Sequence, residues 1–215
     1  MVKRFKTLGM VLMAIGVLFL AIGAVAYTKV RAGSDSLGAF SRAQNVTLSY
    51  NEDGQLVDQG KTEGAEAIMK LLTEDWGFPV VKSELDPKDP VINTATEYMF
   101  EMATITHHVL DGTQSVVLTE NAEYKGETFL AGTHEVPVAG RYWTGFDRLH
   151  PPDGPARNQA WSGTVHALIA ELGVGTLTST SLQVGLTLVG LFAALGFLSI
   201  LSGAGMIWAA GGKHE

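Results

Sequence analysis

Two apolar runs without a single charged residue bracket a long polar stretch, and they limit what this chain can fold into more than any other feature. The first, Leu8–Thr28, has 21 residues. At 1.5 Å per residue such a helix spans about 31 Å, matching a bilayer's hydrocarbon core. The second, Leu182–Ala210, has 29 residues, more than a perpendicular crossing needs, so it should tilt or protrude at one end. Trp208 near its end suits an interfacial anchor. Lys3, Arg4 and Lys6 ahead of the first run, with Ala24-Val25-Ala26 inside it, also fit a secretory signal. The run exceeds the roughly 7–15-residue apolar core of such signals, which favours a retained helix.

Charge sets the expected orientation. Lys3, Arg4 and Lys6 precede the first run and Lys213 follows the second, which places both ends in the cytoplasm. Lys29 and Arg31 pull the other way, but the stretch Ala32–Ser181 holds 9 Lys or Arg against 21 Asp or Glu, a net of −12. An acidic domain moved across the membrane fits that balance. The expected organisation is therefore a cytoplasmic tail at 1–7, a transmembrane helix at 8–28 and an acidic extracytoplasmic α+β domain at 32–181. A second transmembrane helix at 182–210 and a cytoplasmic tail at 211–215 complete this two-pass protein of a bacterial plasma membrane. Tails this short cannot fold, so no kinase, nucleotide-binding or transcriptional output is expected. The overall charge of −7 argues against nucleic acid, which recruits clustered Lys and Arg. With no cysteine there is neither a disulfide framework nor a thiolate metal site. Neither apolar run carries the Asp, Glu, Lys, Arg or His that would mark an ion or proton path, and two helices alone cannot enclose a pore.

Within the acidic stretch, Gln44–Tyr50 alternates like a strand and Asn51–Gly54 like a turn. Thr62–Asp75 has helical spacing, with Ala65, Ile68, Met69 and Leu72 on one stripe. Asp89 suits an N-cap and Pro90 a first helical position, so a helix is expected over Pro90–Leu110, ended by Asp111-Gly112. Short strands are expected at Thr113–Thr119, Thr128–Ala131 and Glu135–Val138. Arg141–Ala156 reads as a loop, Asn158–Leu172 as a last helix and Gly173–Ser181 as a linker.

Three constellations could carry function. The histidines His107, His108, His134, His150 and His166 lie among many carboxylates, and Glu97, Glu101 and His108 share the polar stripe of the expected 90–110 helix. His107, His108, His134, His150, Glu97 and Glu101 are thus the candidate ligands for copper or zinc, although Thr104 occupies the place a Glu-x-x-His pair would need. Without that pair a solvated helix face is the plainer reading, and no cofactor is predicted. The loop residues Arg141, Tyr142, Trp143, Phe146 and Arg148 are of the types that dominate interface hot spots; Trp143 and Phe146 could equally fill a small core. Finally, Gly9, Gly16 and Gly23 recur every seven residues, and Gly196, Ser199 and Gly203 make a similar smooth face. Such faces let helix backbones approach closely in lipid, against each other or against another subunit.

The segments Gln44-Asn45-Val46-Thr47-Leu48-Ser49 and Ser83-Glu84-Leu85-Asp86-Pro87-Lys88-Asp89-Pro90 resemble a family of small actinobacterial membrane proteins, often labelled as aromatic ring-opening dioxygenases. Nothing in this chain matches an extradiol iron site, and the longer region His107–Leu172 departs from the family. The resemblance implies an actinobacterial plasma membrane. The leading expectation is a non-catalytic accessory subunit, partnered by the lipid bilayer and a larger membrane enzyme complex such as a respiratory assembly or a copper membrane monooxygenase. An independent extracytoplasmic copper or zinc protein, and a ligand-binding sensor without its own output domain, are the alternatives.

Overall fold

In the computed structural model, which describes residues 2–211, the order along the chain is α1 (Val2–Gln44), α2 (Thr62–Lys70), α3 (Ala95–Leu110), β1 (Thr113–Leu118), β2 (Ala122–Tyr124), β3 (Glu127–Phe129), β4 (Gly132–Pro137), α4 (Asp153–Ala160) and α5 (Gly163–Gly211). The chain is thus mixed helix and sheet, and α1 and α5 are long and apolar enough to cross a membrane. The described residues form two units, one from the helices before Gln44 and after Leu177, the other from Gln44–Leu177.

Both apolar runs sit inside helices much longer than themselves. From Val2 onward the expected tail 1–7 is the first turns of α1, and the residues after Thr28 continue that helix to Gln44. The first proline of the sequence is Pro79, so nothing breaks α1 until Asn45 takes a left-handed conformation (φ 52°), a helix-ending role Asn accepts. The strand expected at Gln44–Tyr50 is therefore shorter, an extended segment after the helix end with isolated bridges at Thr47 and Tyr50. The linker expected at Gly173–Ser181 is helical too, as part of α5. Gly175 is needed there because a Cβ would lie 2.5 Å from the Tyr98 ring. The helix expected over Asn158–Leu172 is divided instead, with α4 ending at Ala160 before α5 starts. Of the expected tail 211–215, Gly211 closes α5 and the other four residues lie outside the described ones.

The helix-pair unit is built on its glycines. Gly9, Gly16 and Gly23 are all buried in α1. A Cβ on Gly9 would lie 2.6 Å from the Gly203 carbonyl oxygen, and one on Gly16 would lie 2.7 Å from that of Gly196. Gly23 faces Val189 and Phe192, and Gly33 faces Leu182. Numbers rise along α1 as they fall along α5, so the helices run antiparallel. Seven residues are nearly two full turns, which keeps each glycine on the same seam. The smooth faces read from the sequence meet each other within one chain. Ser199 is half-buried between the two contact glycines of α5.

In the other unit, α2 packs on α3, and Ala65, Ile68, Leu71, Leu72, Tyr98, Phe100 and Ala103 are buried. After α2 the chain makes a π-helical turn over Leu71–Asp75, which completes the helix expected to Asp75. α3 starts at Ala95 rather than Pro90, because Thr94 and Glu97 form a reciprocal capping box there. The residues before it pair instead with the segment after α1. Leu48 N donates to Pro90 O at 2.9 Å and Ile92 N to Val46 O at 3.0 Å. The two segments that carry the family resemblance are thus joined by hydrogen bonds around the Thr47–Val91 bridge. β1 and β4 form one antiparallel pair, and β2 and β3 form a second between them in sequence. Lys125 and Gly126, both at positive φ, make the two-residue turn of that inner hairpin. Val116, Val136 and Ala156 pack α4 against the sheet, while Val138, Phe146, Ala160 and Trp161 form a neighbouring cluster.

Candidate functional site

The aromatic loop after β4 is held by a dense set of side-chain hydrogen bonds. Arg141 is its centre. Its Nη1 and Nη2 donate to Asp153 Oδ1 and Oδ2 at 2.8 and 2.6 Å, a two-pronged ion pair, and also to the carbonyls of Pro137 and Gly145. The guanidinium lies 4.0 Å from the Phe146 ring centroid. That bonded guanidinium holds the Asp153 carboxyl below its ordinary range, and Asp153 raises Arg141 in return. Phe146 is core, and Trp143 stands over the core cluster. Of the five residues expected to face a partner, Arg141 and Phe146 are therefore internal fastenings; Tyr142 and Arg148 are exposed. Tyr142 is itself engaged, stacking on Trp161 at 5.8 Å and accepting a hydrogen bond from Trp76 Nε1 at 2.9 Å.

Asp147 joins the inner hairpin to this loop. Its carboxylate accepts from the Tyr124 hydroxyl at 2.7 Å and from Lys125 Nζ at 3.3 Å. The Tyr124 hydroxyl is the main cause that pulls the Asp147 carboxyl down to about 2. His150 sits edge-on to Phe129 at 4.7 Å, and His134 lies edge-on to the same ring at 6.5 Å. His134 Nε2 meets the Leu130 carbonyl at 2.9 Å, and His150 Nδ1 accepts from Asp153 N at 3.3 Å.

On α3 the polar stripe is solvated only at its C-terminal end. Glu97 is 2% exposed, and its Oε2 accepts from Asn93 N, Thr94 N and Thr94 Oγ1 at 2.9, 2.9 and 2.8 Å. Burial raises its carboxyl above the ordinary value in spite of those bonds. The Tyr50 hydroxyl is a buried side-chain atom with no hydrogen-bond partner among the described residues, and burial, with the charges of Glu97 and Asp86, pushes it up to about 12. Glu101 is half-buried and also raised, chiefly by burial. His107 is half-buried, whereas His108 is exposed and sits 3.0 Å from both oxygens of Asp58. The six candidate ligands thus go to different tasks, and among the described residues no three His, Asp or Glu side chains group to hold a metal ion.

Glu97 yields a direct test. Glu97→Gln keeps one oxygen acceptor and removes the buried charge, so stability at pH 7 should hardly change. Glu97→Ala should lose about 2 kcal/mol, since backbone donors at the start of α3 lose their acceptor. A carboxyl raised on folding adds stability as pH falls through its folded value. Wild type should therefore gain on Glu97→Gln in thermal melts as pH is lowered from 7 toward 5.

The side chains that organise the loop include Asp147, Asp153 and Arg157, and Asp58 anchors His108; of these, Asp153 has a signal in the sequence, as the carboxylate beside His150 in a stiff Pro-rich turn. Asp153 and Arg157 do share an i,i+4 spacing that signals a helical ion pair, but Asp153 goes to Arg141 instead. No family model, no curated protein and no solved structure matches this chain. The resemblance carried by Gln44–Ser49 and Ser83–Pro90 therefore rests on those two segments alone.

Proposed function

We propose that this chain is a two-pass protein of a bacterial plasma membrane, with both termini in the cytoplasm and the Gln44–Leu177 unit outside. In that setting it serves as a non-catalytic accessory subunit of a larger membrane enzyme complex. The observation that carries the reading is the division of the helix surfaces. The glycine seam is filled within the chain, while Val11, Leu18 and Val25 of α1 and Leu191, Leu198 and Leu201 of α5 stay exposed. Apolar flanks of that kind need lipid or another membrane protein to cover them. The acidic unit adds support, because its Arg141–Asp153, Asp147–Lys125 and His108–Asp58 pairs brace a scaffold.

The test is native electrophoresis of gently solubilised membranes, followed by mass spectrometry of the band that contains this chain. Co-migration with a larger enzyme at fixed stoichiometry is expected. A band near the chain's own 22.9 kDa plus detergent, with no partner, would overturn the accessory-subunit reading.

A further inference from the structure

Arg157 is a buried cation without a carboxylate. It is 7% exposed, and its guanidinium sits over the Trp143 ring, with Cζ 3.1 Å from the ring centroid. The only hydrogen bond its side chain makes among the described residues runs from Nε to the Trp143 carbonyl, 3.2 Å away. Its natural partner would be Asp153, one turn earlier on α4. Both oxygens of Asp153 are already taken by Arg141, and Oδ2 also accepts from Asp147 N. Asp147 in turn is held by Tyr124 and Lys125. Thus the two nearest carboxylates along the chain are both committed elsewhere.

A second cation makes the shortage worse. Arg157 and Arg148 line one cleft of about 380 Å³ together with Trp143, Thr144 and Phe146, and among the described residues no acidic side chain lines it. Burial first, and the neighbouring charge of Arg148 second, lower the Arg157 guanidinium from its ordinary value. Such an arrangement is unexpected in a stretch with a net of −12, where carboxylates are plentiful. A buried, uncompensated charge is unfavourable, so a fold that keeps one has a use for it. Guanidinium forks match the geometry of carboxylate and phosphate groups, and Arg157 keeps its Nη donors for that purpose. Thr144 supplies a hydroxyl, and Trp143 and Phe146 supply apolar walls.

We propose that the cleft lined by Trp143, Thr144, Phe146, Arg148 and Arg157 binds a small oxyanion, a carboxylate or a phosphate group, clamped between the two guanidinium groups. The ligand arrives either as a free solute or as the headgroup phosphate of a lipid. This site stands apart from the accessory-subunit reading, since it uses no feature of the long helices.

The test is isothermal titration of the purified full chain in detergent with sodium phosphate, sodium acetate, and micelles doped with phosphatidylglycerol. Sodium chloride at matched ionic strength serves as the blank. Saturable binding to phosphate or acetate is expected, weakened at least about tenfold by Arg148→Gln and abolished by Arg157→Gln. Arg148 is exposed, so its variant keeps the fold and decides the matter should Arg157→Gln fail to fold. Saturable binding confined to phosphatidylglycerol, and weakened by the same variant, would assign the lipid headgroup as the source. No saturable binding to any of the three, or equal binding by wild type and Arg148→Gln, would overturn the proposal.

Discussion

Gly16→Leu is expected to unpack α1 from α5 and to lower stability by about 2–3 kcal/mol, the cost of forcing a side chain into a filled interface. A single Cβ at Gly16 would already lie 2.6 Å from Ile200 Cγ1, 2.7 Å from the Gly196 carbonyl oxygen and 3.0 Å from Ile200 N. Two of those three neighbours are backbone, which cannot swing aside as a flexible side chain can. The helices must separate, and with them the facing rings of Phe19 and Phe192, 6.0 Å apart. The same geometry predicts a gradient. Gly16→Ala should still be harmful, whereas Gly23→Ala should be tolerated, because its Cβ would meet Phe192 at an ordinary 3.4 Å. Gly190→Leu and Gly205→Leu are the controls, since nothing lies within 4 Å of a Cβ at either position. Helicity followed through thermal or dodecyl-sulfate titration of the protein in micelles reads all five variants. Equal midpoints for Gly16→Leu and Gly190→Leu would refute the glycine seam.

That seam was legible in the sequence because it is a local, periodic signal. Seven-residue spacing in Gly9, Gly16 and Gly23 puts three glycines on one line whatever the rest of the chain does. The same holds for the stripe of Ala65, Ile68 and Leu72. Helix lengths were less legible for a different reason. Hydropathy marks where a run is apolar, not where backbone hydrogen bonding stops, so Ala32–Gln44 and Gly173–Ser181 read from sequence as parts of the central domain although both continue the long helices. Only the left-handed Asn45 ends α1. At the start of α3 two local signals competed, Pro90 as a first helical residue and the Thr94-x-x-Glu97 box. The box prevails because it satisfies backbone donors at both of its ends, and Val91 is then free to bridge Thr47. The same box draws the Glu97 carboxylate inward, away from the outward polar stripe that helical spacing predicts.

The loop was illegible in another way. Trp143, Phe146 and Arg141 announce themselves by residue type, but their partners are set by contacts that no spacing encodes. Asp153 could pair with Arg157 by helical register or with Arg141 across the loop. The bidentate geometry available to Arg141, reinforced by the Phe146 face, decides it. The unpaired Arg157 is a consequence of that choice, so the cleft it lines becomes visible only once the loop is folded.

Asp153→Ala tests that choice. The carboxylate is 14% exposed and its guanidinium partner 30%, and the change removes acceptors for two Arg141 nitrogens and for Asp147 N at 2.8 Å. Arg141 would be left half-buried against Phe146 with only the carbonyls of Pro137 and Gly145. A loss of about 3 kcal/mol is expected from breaking a largely desolvated pair on one side. Acidity supplies the second readout. The Asp153 carboxyl is lowered on folding by Arg141, and that of Asp147 is pulled down to about 2 chiefly by Tyr124. A depressed carboxyl contributes its stability above the unfolded value, near 4 for Asp, and loses it as pH falls through the folded value. Wild type should therefore weaken steeply between about pH 4 and pH 2, and Asp153→Ala should start lower but fall less over that window, retaining only the Asp147 share. Thermal midpoints at pH 7, 4 and 2 separate the two curves. Parallel loss in both proteins would mean that the Arg141–Asp153 pair does not hold the loop. A shallower fall in the variant would place the fastening of the aromatic loop, and hence the shape of the Arg157 cleft, on that single ion pair.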